Sequence, residues 1–214
     1  MPIDSLVLIG SGGHAKVVAE IAMLSKRFSS IRILDSDPRR DGEKILGIAV
    51  ETPLVPGRAP FAFHIAIGDA HARARLWHEL VSWGGTPATL VHPDASVSAH
   101  AEIGSGSAVA AKAIVAPGAR IGRGCIVNHG AVVDHDCTVG DFAHVAPNAT
   151  LGGGASIGPM SLLGAGAIIL PGIGVGAKAV VAAGAVVTGQ VPDHELWAGV
   201  PASRKKAMIN VESK

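Results

Sequence analysis

His135 and Asp136 are adjacent, and the pair has the types for proton transfer: an imidazole near its ordinary pKa accepts a proton at neutral pH once a neighbour fixes its tautomer. Eighteen residues further on, Gly152-Gly153-Gly154 offers peptide N–H groups with no side chain in the way, and Asn128 stands seven residues before His135. Towards the amino terminus, Gly10-Ser11-Gly12-Gly13-His14-Ala15 fits G-x-G-x-x-A, a turn whose amides and following helix can cradle a phosphate. Asp35 and Asp37 end the next apolar stretch, as carboxylates able to accept from a ribose hydroxyl or a base N–H, and Gly68-Asp69 ends a further one. Each feature has a bland alternative: glycines that only tighten a turn, a solvated corner dipeptide at 135–136, ordinary surface or packed histidines at His129 and His144.

The elements that position the first group are written in a period of six. Stepping from Val91 to Val187, all 17 residues are Val, Ile or Leu, types that make up 55 of the 214 residues, so chance gives such a register with a probability on the order of 10⁻¹⁰. Four residues after each of the first sixteen comes Ala, Ser or Cys, with Ile173 the single exception, and Gly often follows the aliphatic residue directly. Such a period suits a chain that runs a short strand, turns a corner and repeats. Three hexads then close an 18-residue triangular coil, and residues 91 to about 190 give between five and six coils. The aliphatic residues, with Cys125 and Cys137 in the small position, point inward. His135, two residues past Val133, falls at an outward corner with Gly153 one coil above it, and His144 lies half a coil away.

The second group sits on a different pattern. Leu6–Gly10 reads as a strand, Ala15 to about Lys26 as a helix, Ile31–Asp37 and Phe63–Gly68 as strands, and Ala70–Trp83 as a second helix. This is a βαβ unit with a parallel sheet, whose ligand crevice lies at the carboxyl ends of the strands. About 85 residues are too few for the double unit that holds a dinucleotide, which favours a mononucleotide. The expected organisation is a small α/β, Rossmann-like domain at 1–86, a parallel β-helix at 87–192 and a tail at 193–214.

Composition narrows the function. Eighteen Lys+Arg against 17 Asp+Glu leave a net charge of +1, which speaks against nucleic acid as a partner. Residues 145–177 carry no charge but contain three prolines and many glycines, so no membrane span is expected. Two cysteines make no disulfide framework and the opening MPIDSLVLIG is not a signal sequence, so a cytoplasmic location is expected.

G-x-G-G-H at the head of a βαβ unit, a hexapeptide solenoid and N-x6-H-D together resemble the bacterial hexapeptide-repeat sugar acetyltransferases. These are the N-acetyltransferases of nucleotide-linked 4-amino sugars (perosamine, viosamine and bacillosamine type) and the sialic acid O-acetyltransferases. The resemblance covers nearly the whole chain. It implies a left-handed β-helix, a homotrimer, acetyl-CoA as cosubstrate, no metal, and N-acetylation of a nucleotide-linked amino sugar for surface glycans, with sugar O-acetylation as the alternative. It implies further that His135 is the proton acceptor, Asp136 its orienting partner, Gly153 the oxyanion donor and Asn128 part of the same set. Gly10, Gly12, Gly13, His14, Asp35, Asp37, Gly68 and Asp69 would then meet the nucleotide sugar. His144 and the closing Gly199-Val200-Pro201-Ala202 with Arg204 would meet CoA, the basic run Arg204-Lys205-Lys206 lying near its phosphates. Solenoids of this type also resemble trimeric zinc carbonic anhydrases, which His129, His135 and His144 invite, but separations of six and nine place these on no common face. A non-catalytic trimeric scaffold is the remaining alternative.

Overall fold

The computed structural model describes residues 4–57 and 60–205. Strand β1 (Ser5–Ile9) is apolar and buried along nearly its whole length, as a central parallel strand must be. Gly10, at φ +100°, turns the chain into helix α1 (Gly13–Ser25), and β2 (Ser30–Leu34) returns parallel to β1. A hairpin of β3 (Lys44–Ile45) and β4 (Ile48–Glu51) extends that edge, and β5 (Phe61–Ile65), α2 (Ala70–Ser82) and β6 (Gly85–Pro87) build the other. The order is β3-β4-β2-β1-β5-β6. The two helices cover opposite faces: Val18 and Ala19 of α1 pack on Leu6 and Leu8, whereas Trp77 and Leu80 of α2 pack on Val7 and Phe63. The winding therefore reverses between β1 and β5, where an open α/β sheet leaves a crevice.

Seventeen two-residue strands follow at six-residue spacing, from β7 (Leu90–Val91) to β23 (Val186–Val187). They pair in steps of 18, Val109 on Val127, Val127 on Val145, Val145 on Leu163. Three flat faces result: a first face with outward residues from Leu90 to Val180, a second from Ser96 to Val186, and a third from Glu102 to Gly174. Inside, every repeat aliphatic from Val109 to Val187 is at most 4 % exposed, and Cys125 and Cys137 are buried beside them as small apolar groups. Ile173, the exception to the small-residue rule, is only partly buried.

Two features go beyond the sequence reading. The residue three places after each inward aliphatic adopts a left-handed backbone from Gly106 to Gly184, in eight glycines and six other residues, among them Asp136 and Asn148. The expected boundary at 193 also does not end the winding. Strand β24 (Leu196–Ala198) pairs parallel with the Val180–Val181 strand as one more rung, and β25 (Ser203–Lys205) folds back antiparallel onto it. Lys206, last of the basic run, lies outside the described residues.

The sheet domain sits on the first face and its adjoining corner. Trp77 stands edge-on between Phe63 and Phe142, with ring centroids 5.9 and 5.7 Å away, and Leu90 and Ala110 of the solenoid join the α1 core.

Candidate active site

His135 occupies a corner between the second and third faces with its side chain 62 % exposed. Its Nδ1 lies 2.9 Å from Oδ2 of Asp136. A carboxylate only accepts, so Nδ1 carries the proton of the neutral ring and Nε2 keeps its lone pair. Asp136 has φ +60°, a left-handed backbone that Asp tolerates better than most residues. The Asp136 hydrogen bond, with the charge of Asp134 second, raises the His135 pKa above the ordinary histidine value. The rungs on either side are stripped of side chains to make room. A Cβ on Gly118 would stand 2.5 Å from Asp136 Oδ1, and one on Gly153 would collide with Nε2 of His135. The Gly153 N–H has no backbone acceptor among the described residues, whereas its neighbour Gly154 donates to the His135 carbonyl.

The second site is a cavity of about 700 Å³ at the carboxyl edge of the N-terminal sheet, where the winding reverses. Gly10, Gly12, Gly13, His14, Asp35, Asp37 and Gly68 all line it. Gly12 caps α1 without a side-chain acceptor, so the amides of Gly13 and His14 open the helix without a protein partner among the described residues, as an anion-binding turn requires. Asp69 differs from expectation: it does not line the cavity, and its Oδ1 instead accepts from the Ala72 amide at 2.7 Å as the N-cap of α2. Asp35 braces the glycine turn, accepting from the amide and hydroxyl of Ser11 at 2.8 and 2.5 Å. Burial pushes its pKa up, but the Ser11 and Asp37 hydrogen bonds outweigh it and hold the carboxyl below its usual range. Hydrogen bonds from Arg39 pull Asp37 down to about 2.

A third group, between the sheet domain and the solenoid, was only partly legible in sequence. Arg73 is 2 % exposed and pairs with no carboxylate among the described residues; four carbonyls surround it instead. Nη1 donates to the oxygens of Ile67 and Gly68 on the cavity loop, while Nε and Nη2 donate to Gly124 and Phe142 on solenoid corners. It thus ties one wall of the cavity to the β-helix. Burial lowers its pKa to about 10, which leaves it charged at neutral pH. Burial, with the charges of His64, His144, Arg73 and His129 behind it, pushes His14 down to about 3, and burial takes His64 and His144 to about 4. His14 is therefore an uncharged hydrogen-bonding group on the cavity wall at neutral pH, and its buried Nε2 has no partner among the described residues. Asn128 contacts His144, Nδ2 to Nε2 at 3.2 Å, at the corner after the first face. Within one chain Asn128 and His135 therefore stand at different corners of the prism.

In a triangular prism the corner between the second and third faces is opposite the first face. The cavity and the His14–His144 group lie on the first face, so one chain holds them on the far side from its own His135. Further along the chain, Gly199, Val200 and Pro201 form the bend between β24 and β25, Ala202 is buried against the solenoid core, and Arg204 pairs with Glu195 at 2.9 Å. Among the described residues, no three His, Cys, Asp or Glu side chains converge as a metal site, and no helix is long and apolar enough to cross a membrane.

Comparison with known proteins decides the family. Residues 5–80 match the PglD N-terminal domain, 118–153 the bacterial transferase hexapeptide (six repeats) and 154–189 the hexapeptide repeat of succinyl-transferase. The acetyltransferase domain of PglB from Neisseria gonorrhoeae, solved with acetyl coenzyme A, is 37 % identical, with 95 % of this chain and 100 % of that one covered and a TM-score of 0.89. The chain belongs to the hexapeptide-repeat acetyltransferases. Perosamine N-acetyltransferase from Caulobacter crescentus, solved with CoA and GDP-perosamine, is also 37 % identical over 94 % of this chain and 96 % of that one, with a TM-score of 0.88. WeeI from Acinetobacter baumannii, 24 % identical over 94 % and 99 %, shares the fold at a TM-score of 0.75. No curated protein sequence matches. The acetyltransferase's solenoid is accordingly the left-handed β-helix of this family.

Proposed function

We propose that this acetyltransferase moves the acetyl group of acetyl-CoA onto the amino group of a nucleotide-linked 4-amino sugar, in the cytoplasm and as a homotrimer. The observation that carries the reading is the corner at 135: the Asp136 bond leaves the His135 Nε2 lone pair directed at a rung where Gly153 has neither side chain nor a partner for its N–H. The amine attacks the thioester carbonyl, His135 Nε2 takes its proton, and the Gly153 N–H donates to the oxyanion. When the C–S bond breaks, the proton passes to the departing CoA thiolate.

The cavity holds the nucleotide: the Gly12–His14 turn takes the diphosphate, and the sugar extends towards His14, His144 and Asn128. Gly199–Ala202 and Arg204 remain the proposed contacts for CoA. Because those groups and His135 stand on opposite sides of one prism, each site is completed by a neighbouring chain. Self-association is supported by the second face, where four of the six outward residues, Ile114, Val132, Ile168 and Val186, are apolar and partly or largely exposed, the others being Ser96 and Thr150, whereas the third face presents Glu102, Arg120, Thr138 and Ser156.

A chain-mixing assay tests this. Thiol release from acetyl-CoA with nucleotide-linked 4-amino sugars should be saturable for the native protein and nearly lost in His135→Ala and in His14→Ala. Refolding the two variants together should restore part of it, since some mixed interfaces join two intact halves. No recovery with trimers intact would refute the shared site, and no thiol release with any such sugar would refute the acceptor class.

A further inference from the structure

The cavity contains three carboxylates, and two are already engaged. Besides Ser11 on Oδ2, Asp35 accepts from the Asp37 amide on Oδ1 at 2.9 Å, and Asp37 is clasped by Arg39, Nη2 to Oδ2 at 2.7 Å. The third, Glu79, lines the same cavity and makes no ion pair among the described residues. It belongs to a stripe of α2, Ala72, Arg75, Leu76, Glu79 and Trp83, that borders the cavity while Arg73, Ala74, Trp77 and Leu80 are buried on the other side. At 1.5 Å per residue the stripe is about 16 Å long. It runs from the first turn of α2, beside the glycine turn, to Trp83, with Leu54 and Arg40 also lining the cavity. Glu79 and Trp83 thus stand at the end of the groove away from the Gly12–His14 amides, the end open to the base of a nucleotide whose diphosphate those amides would hold. Trp83 is 43 % exposed in a chain with only seven aromatic residues, whereas Trp77 is buried.

We propose that Glu79 and Trp83 form the nucleobase end of the cavity and select guanine, so that the amino sugar is carried on a guanosine diphosphate. This rests on the reading of the cavity as the nucleotide-sugar site. Guanine presents a ring N–H and an exocyclic amine side by side, two parallel donors that one carboxylate accepts together. Uracil and thymine present a single N–H between two carbonyl oxygens, whose lone pairs face those of the carboxylate. Adenine and cytosine set one amine beside a bare ring acceptor. The indole of Trp83 supplies a stacking surface that suits any base.

Calorimetric titration of the full chain with GDP, UDP, dTDP and ADP tests this. GDP should bind roughly 10- to 100-fold more tightly than the others, the discrimination of one bidentate base contact. Glu79→Gln should weaken GDP about 10-fold or more and leave UDP unchanged, while Trp83→Leu should weaken all four alike. Glu79 is exposed, so its replacement leaves the fold intact, which circular dichroism will verify. UDP or dTDP binding as tightly as GDP, or Glu79→Gln keeping full GDP affinity, would overturn the guanine assignment while the cavity reading stands. Failure of all four nucleotides to bind would overturn both.

Discussion

The same side chain does opposite things in two regions of this acetyltransferase. At the outer corner, His135 is exposed, leans on a carboxylate and has a raised pKa; at the junction between domains, His14, His64 and His144 are closed in around a buried arginine and have depressed ones. Imidazole chemistry is identical in both places. Desolvation and the nearest charge decide whether the ring exchanges protons near neutral pH or stays neutral down to acid pH. The corner keeps a ring able to exchange protons near neutral pH, and the junction keeps rings that stay neutral.

Removing the imidazole breaks the comparison most completely. His135→Ala should lower kcat by roughly 10²- to 10⁴-fold, the range for a general base, with little change in melting temperature because the side chain is exposed. A loss below tenfold in the thiol-release assay would mean that positioning alone suffices. Gly153→Ala comes next. Its methyl group meets Nε2 of His135, so the ring must move, and kcat should fall by about 10², with KM for the nucleotide sugar unchanged.

Asp136→Asn sharpens the comparison rather than breaking it. The carboxylate raises the His135 pKa, so the base form is lost as pH falls through a value above the ordinary histidine range. Neutralising Asp136 should shift the acidic limb of kcat/KM to lower pH, with a loss of about tenfold at neutral pH from the weakened tautomer lock. An unmoved limb would separate His135 from the titration.

The junction predicts an effect on stability instead. A histidine with a depressed folded-state pKa binds fewer protons folded than unfolded, so its stability contribution is complete above the unfolded value near 6.5 and is lost as pH falls towards the folded value. For His64, at about 4 when folded, this amounts to about 3 kcal/mol lost between pH 6.5 and 4. Thermal melts over that window should drop steadily, and His64→Gln, which keeps a donor near the Ala88 carbonyl, should flatten the drop. An equally steep profile in the variant would place the acid sensitivity elsewhere.

Legibility in the sequence followed the range of the interactions. The corner was readable because a repeat turns sequence distance into height: eighteen residues equal one rung, so Gly153 over His135 could be counted. The left-handed position was present too, in the glycines from Gly106 to Gly184, but six other residues fill the same slot and blur the pattern. Asp69 looked like a ligand carboxylate because a strand end and a helix N-cap draw on the same residue type. Arg73 left no trace, since its four partners are backbone carbonyls that carry no side-chain signature. Glu79 and Trp83 carry no signal in the sequence beyond their place near the end of a helix, because the facing wall of the cavity comes from Leu54 and Arg40 on distant segments.

By itself the sequence determined the prism, its register, the outward imidazole with a bare glycine above it, and the glycine turn at the head of a parallel sheet. These follow from local periodicity, steric demands at corners and the geometry of a strand–turn–helix. The tertiary structure alone decided which face carries the sheet domain, and hence that the cavity and His135 of one chain lie on opposite sides. That choice rests on contacts between distant segments, Trp77 against Phe142 and Arg73 across the junction, whose free energy depends on shape and burial that no short stretch of sequence contains.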